Sequence, residues 1–282
     1  MNARVALALG LGLLGFVAVG PLGLEALGLD ATAIAPDHAR EAPSLAHPLG
    51  TDELGRDVLA RLAVGGRVSL TVAFGAALVA AAFGGALGLL AGYLGGAFDR
   101  AALLALDAFA AVPKLPLLLV LSGLQPFAGV PWPAAWSGAP REVVELSLLL
   151  AALAWTGPAR LARQVARRLA ESEVVLAARA LGASELFTLR VHVLPAALGP
   201  LSVAFAEDVG ELIVYESALS FLGLGVQPPT PSWGAMLMRS LTELSRAPAS
   251  VILPGLGTLA AVLLAQRAGT ELRRRLRLQG SA

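Results

Sequence analysis

The chain contains no cysteine, which excludes a disulfide framework, a thiolate metal site and a cysteine nucleophile. Lysine is nearly missing too: Lys114 is the sole lysine beside the arginines. A phosphate-cradling loop of the form G-x-x-x-x-G-K-[ST] needs a lysine after glycine. Lys114 stands between Pro113 and Leu115, so the sequence holds no such loop, and any ATP hydrolysis has to come from partner subunits. The three histidines, His38, His47 and His192, have no mutual spacing that suggests a metal site. No H-E-x-x-H occurs, and no Ser/His/Asp arrangement stands out; Ser69, Ser122 and Ser202 read as helix-packing hydroxyls. Charge is scarce as well, at 15% of residues, where soluble domains carry about 25%. A net charge of +1 gives no sign of a nucleic-acid partner.

What fills the space is apolar. Hydrophobic residues make up 56% of the chain and the mean hydropathy is +0.73. The excess falls in long blocks separated by short polar stretches, the pattern of an all-α membrane protein. Crossing the hydrocarbon core takes about 20 apolar residues. The blocks predict about six transmembrane helices: Val5–Leu24, Ser69–Leu90, Ala101–Leu121, Val143–Trp155, Ala196–Tyr215 and Ser250–Ala268. The fourth is short and is expected to continue through Thr156-Gly157-Pro158. The first could be a cleaved signal peptide, but its apolar run is long for one, so an uncleaved anchor is expected.

Six spans put both termini on one side. Alternate loops then place Arg4, Arg100, Arg160, Arg163, Arg167, Arg168, Arg179, Arg190 and the tail arginines together, with most loop acids opposite. Basic residues near span ends favour the cytoplasm. The reading is therefore a multi-pass protein of a bacterial cytoplasmic (inner) membrane with both termini cytoplasmic. Its segments are an anchor helix over 1–24, a periplasmic segment over 25–67, a transmembrane domain over 68–270 and a cytoplasmic tail over 271–282. A cytoplasmic loop over 157–195 interrupts the transmembrane domain. Gly84, Gly88, Gly92 and Gly96 form a four-residue repeat suited to close helix approach, either within the subunit or at a subunit contact.

The most informative stretch is Glu173–Pro200, EVVLAARALGASELFTLRVHVLPAALGP. Val174–Leu181 has helical composition, Gly182 suits a left-handed helix stop, and Ser184 can cap a second short helix. Arginines are expected on the outer faces, and Pro195 marks the start of the next span. Ala177-Ala178, then Gly182, then Leu194-Pro195 resemble the "EAA" loop of binding-protein-dependent ABC importer permeases. The resemblance implies a type I ABC importer permease fold, in which this loop docks on an ATPase subunit. The matched positions are Ala177, Ala178, Gly182, Ala183, Leu194 and Pro195. Leu176 departs, standing where the motif most often has glutamate.

Three further stretches resemble the dipeptide, oligopeptide and nickel permeases: His47–Asp52 with Gly55-Arg56-Asp57, Gly92–Gly96 with Asp99, and Leu219–Gly225 running on through Pro228–Pro231 to Trp233-Gly234. Their order fits the second of the two permease subunits. His47 and Asp52 read as turn and cap residues, and Pro228–Pro231 as a turn at the pore mouth. The resemblance implies a second permease, two ABC ATPases that bind ATP and magnesium, and a periplasmic or lipid-anchored substrate-binding protein. No cofactor is expected in this chain, and membrane lipid is the remaining contact.

Intramembrane charge is costly and marks function or pairing. Glu207, Asp208, Glu211 and Glu216 fall in or at the end of the fifth span, and Asp107 and Lys114 in the third. Glu207 and Glu211 share a helix face, with Asp208 beside it. These three are candidates for lining the translocation path and attracting a cationic group; pairing with basic residues of the partner permease is the other reading. For Asp107 a structural pairing is expected. A proton-driven secondary transporter using the fifth-span acids is the alternative function.

Overall fold

The computed structural model describes residue 15 and residues 20–26, 28–133, 137–240 and 248–279. Most of the predicted span Val5–Leu24 lies outside them. Among the described residues the structure is helical, with one isolated β-bridge between Thr51 and Asp57.

The helices are α1 (Val58–Leu94), α2 (Gly96–Ala111), α3 (Lys114–Gly123), α4 (Ala139–Ala154), α5 (Thr156–Ala170), α6 (Glu173–Ala180), α7 (Glu185–Thr188), α8 (Leu194–Phe221), α9 (Trp233–Ser240) and α10 (Pro248–Gln279). A π-helical turn over Leu189–Val193 joins α7 to α8. Three helical stretches are long and apolar enough to cross a membrane: Val58–Leu94, Glu185–Phe221 and Ser250–Leu276. Counting each of two bent pairs as one span raises this to five among the described residues.

The third predicted span, Ala101–Leu121, is not one straight helix. It is broken between α2 and α3 by an 85° bend. Pro113 is the cause: it disfavours helical backbone in the residue before it, and Val112 is accordingly extended at φ −87°, ψ 128°. The fourth does continue past Trp155 as expected, but as a second helix bent by 48° from the first. The predicted loop over 157–195 thus begins as regular helix, and only its later part is a hairpin.

The chain forms two compact units, each discontinuous in sequence. One comprises residues 1–75, 119–147 and 210–264; the other comprises 76–118, 148–209 and 265–282. In the first, Ser147 of α4 donates to the carbonyl of Val72 at 3.3 Å, and its Oγ lies 3.2 Å from where a Cβ on Gly75 would stand. The indole of Trp233, 1% exposed, donates to the carbonyl of Leu62 at 2.9 Å.

In the second unit, α5 buries a face of alanines. Ala159, Ala162 and Ala166 are buried completely, while Arg167 and Arg168 are exposed. The alanine face meets the glycine repeat of α1. A Cβ on Gly84, Gly88 or Gly92 would stand 2.2, 2.1 and 2.2 Å from the carbonyl oxygens of Trp155, Ala159 and Arg163. The repeat is therefore an intrachain helix contact. Gly96 does not belong to it: no atom lies near its missing Cβ, and its φ of +62° makes it part of the turn from α1 to α2.

Candidate functional site

The Glu173–Pro200 segment folds as expected and in more detail than its sequence shows. Glu173 and Ala180 bound the first short helix, α6. Gly182 has φ +84°. Its amide donates to the carbonyl of Arg179 at 2.9 Å, and the amide of Ala183 donates to the carbonyl of Ala178 at 3.0 Å. This pair of bonds is a Schellman motif, in which a left-handed residue lets the chain satisfy a helix's last carbonyls. Ala178 and Ala183 take part through their backbones, and Gly182 is the position whose φ calls for its residue type. The hydroxyl of Ser184 then accepts from the amide of Phe187 at 3.3 Å, capping α7. Leu194 and Pro195 open α8 directly after the π-helical turn.

The hairpin has two unlike sides. Val175, Val193 and Ala197 are buried in a cluster with Leu89 and Tyr93 of α1 and Ala162 and Ala166 of α5. The other side is apolar and open: Leu181 at the turn is 89% exposed, and Val174, Leu176, Leu186 and Phe187 are each at least half exposed. Ala177 is exposed and Ala178 half-buried.

Not all the arginines face outward as expected. Arg179 turns in: its guanidinium lies 5.0 Å from the centroid of the Tyr93 ring and donates to Glu185 at 3.0 Å. Tyr93 donates its hydroxyl to the same carboxylate oxygen. Sequence reasoning missed this trio, since Tyr93 and Glu185 are 92 positions apart. Nearby, Asp99 of α2 takes a bidentate pair from Arg163 of α5, with Arg167 at 3.7 Å. Asp107 of α2 pairs with Arg160 at 2.8 Å, the structural pairing expected for it.

The acids of α8 have different surroundings. Glu207 accepts from Arg273 of α10 at 2.6 Å, both half exposed. This is an in-chain partner that neither sequence reading supplied. Asp208 lies near Gly157 of α5, its Oδ1 4.0 Å from where a Cβ would stand. Glu211 accepts from the hydroxyl of Tyr215 at 2.7 Å. The structure thus separates the three: Glu207 engages a different helix, while Glu211 bonds along its own.

Glu216 is fully buried. Ser220 donates to it at 2.7 Å and Ser217 lies 3.4 Å away, with Ser69 and Ser232 beside it. Ser69 and Ser232 accept from the amides of Trp233 and Ala235. The carboxyl thus sits where α1, α8 and the start of α9 come together.

The outer motifs are turns and caps. Asp52 accepts from the amides of Leu54 and Arg56 at 2.9 and 3.0 Å, and from the Arg56 side chain at 2.7 Å. Asp57 caps α1 through the amide of Ala60 at 2.7 Å, with His47 3.0 Å from its other oxygen. Gln227, leading into the proline run, donates its amide to Glu142 of α4 at 2.8 Å.

Broken apolar helices, a small-residue helix seam and an ordered hairpin with one open apolar side are the features of a polytopic membrane protein. Residues 84–278 match the family described as "Binding-protein-dependent transport system inner membrane component". The Pectobacterium atrosepticum glutathione transport system permease protein GsiD is 35% identical over 84% of this chain and 74% of its own length. Its Escherichia coli counterpart is 34% identical over the same shares. An inward-facing structure of the MetNI methionine ABC transporter shares the fold, with a TM-score of 0.57 and 19% identity over 75% of this chain and 94% of that one. The chain belongs to the binding-protein-dependent inner membrane component family and is a permease subunit of an ABC importer. That membership displaces the gradient-driven alternative.

Proposed function

We propose that this permease docks its ATPase partners through the α6–α7 hairpin and carries a peptide-type solute. A second permease completes the path, two ATPases drive it and a binding protein delivers the solute. Both termini and the hairpin face the cytoplasm, in keeping with the arginines gathered on that side. The observation that carries the reading is the open apolar side of the hairpin. A water-facing loop that buries one side in a core and leaves Leu181, Leu186 and Phe187 exposed on the other has the character of an interaction surface. ATP-driven closure of the ATPases would move the hairpin, and the spans would alternate between inward-facing and outward-facing states.

Affinity capture of the tagged chain in mild detergent tests the docking. The wild type should recover a second permease and P-loop ATPases. The double variant Leu181→Asp, Phe187→Asp should keep the permease and lose most of the ATPase, because charge is inserted into the centre of an apolar contact. Retention of ATPase at the wild-type yield would reject the hairpin as its dock.

The solute class rests on the relatives named for glutathione transport. Cells lacking the chain should take up labelled glutathione several-fold more slowly than cells carrying it. Equal uptake would direct the search to another peptide or a metal complex, leaving the docking assignment untouched.

A further inference from the structure

The hairpin has to do more than bind a partner: its displacement has to reach the spans. A loop joined to its helices only by flexible chain would absorb the push. Tyr93, at the end of α1, is 5% exposed, and its ring lies in the core that holds Val175 of α6. Its hydroxyl reaches out of that core to Glu185, the first residue of α7. Arg179, near the end of α6, donates to the same carboxylate oxygen and covers the ring. The three groups close a triangle across the Gly182 turn, with one corner on each of α6, α7 and α1.

The arginine–glutamate pair alone would hold little, because Glu185 is 60% exposed and exposed ion pairs are weak. The buried tyrosine changes this. It adds a hydrogen bond to a charged acceptor and a cation–π contact, both from a ring that the core fixes in place.

We propose that Tyr93 is the positioning residue that locks the α6–α7 hairpin to α1, so that the hairpin and α1 move as one body when the ATPases close. The proposal rests on the reading of the hairpin as the ATPase dock. Tyr93 touches neither solute nor nucleotide; it acts through Glu185 and Arg179.

The absence of native cysteine makes a direct test simple. Spin labels are placed on this chain at Leu90→Cys in α1 and Ala180→Cys in α6, and the captured complex is studied in nanodiscs by pulsed electron–electron resonance. The complex without these substitutions supplies the background from partner cysteines. With Tyr93 intact, the label distance should be narrowly distributed and the same with and without ATP and vanadate. In Tyr93→Phe, which keeps the ring and removes the hydroxyl, the distribution should widen about twofold and its mean should shift when nucleotide is added. ATPase recovery should be unchanged.

Glu185→Gln keeps an acceptor but loses the charge and should widen the distribution less than Glu185→Ala, which should behave like Tyr93→Phe. The double variant Tyr93→Phe, Glu185→Ala should be no wider than either single one, as expected for one shared contact. A Tyr93→Phe distribution of wild-type width with no nucleotide response would overturn the proposal while the dock stands. A wild-type complex that captures no ATPase would overturn the dock, and the proposal with it.

Discussion

Gly88→Ala is expected to destabilise the permease by about 2–3 kcal/mol, the upper part of the range for overpacking, and Gly88→Val to prevent accumulation of folded protein. The added Cβ would stand 2.1 Å from the carbonyl oxygen of Ala159 and under 3 Å from its carbonyl carbon and Cα. These are backbone atoms of α5, which no rotamer change can move aside. Relief would require the helices to separate, and that would also open the contacts of Gly84 and Gly92, each at 2.2 Å from a carbonyl oxygen on the same line. In a membrane, helix association draws on such van der Waals contact because lipid offers no hydrophobic drive between helices.

Gly85, the next residue, supplies the control. A Cβ there meets only the tips of the Leu201 side chain, at 3.4 and 3.7 Å, so Gly85→Ala should change stability little. Membrane abundance and thermal stability in detergent, followed by fluorescence-detected size exclusion, distinguish the two. Equal stability of Gly88→Ala and Gly85→Ala would show that the seam is not tight.

Glu216→Ala is expected to have a comparable effect for an unrelated reason. The wild-type carboxyl accepts from Ser220 and lies beside serines of α1 and the start of α9. Truncation leaves the Ser220 hydroxyl without its acceptor and opens a void. An unsatisfied buried polar group costs about 1–3 kcal/mol and the cavity adds to that, so a loss of roughly 3 kcal/mol is expected. Glu216→Gln keeps the volume and one acceptor oxygen and should fall between the two. Ser220→Ala removes a single donor and should be milder still. Melting temperatures in detergent should therefore run wild type, Ser220→Ala, Glu216→Gln, Glu216→Ala in descending order. Glu216→Ala melting with the wild type would show that the cluster holds nothing together.

Much of the hairpin was legible in the sequence because its signals are local. Gly182 and Ser184 act on neighbours within three residues, and composition supplies the rest. The glycine repeat was legible as a seam for the same reason, although only the fold shows that its partner is α5 and that Gly96 belongs to a turn. The bend between α2 and α3 was also signalled, by Pro113, but an apolar run long enough to span outweighed it. What could not be read were pairings across long separations. Nothing in the sequence around Tyr93 names Glu185, and nothing around Glu207 names Arg273. Such partners are chosen by helix packing, and one sequence without its fold carries no mark of them. Glu216 was visible as an intramembrane acid. Its serines, however, come from positions 69, 217, 220 and 232, and only the neighbours on its own helix could have been anticipated.

The π-helical turn at Leu189–Val193 has a bearing on how force travels. Each residue of an α-helix advances about 100° around the axis, and a π turn accommodates one residue more than an α turn. The hairpin's second helix and the span beyond it therefore follow one another closely in the chain but are out of angular phase by about one residue. Phe187 faces outward on one side of this joint, and Val193 and Ala197 face the core on the other. A torque applied at the hairpin meets a joint with a set dihedral offset, as a crank meets its shaft, and sliding alone would not use that geometry.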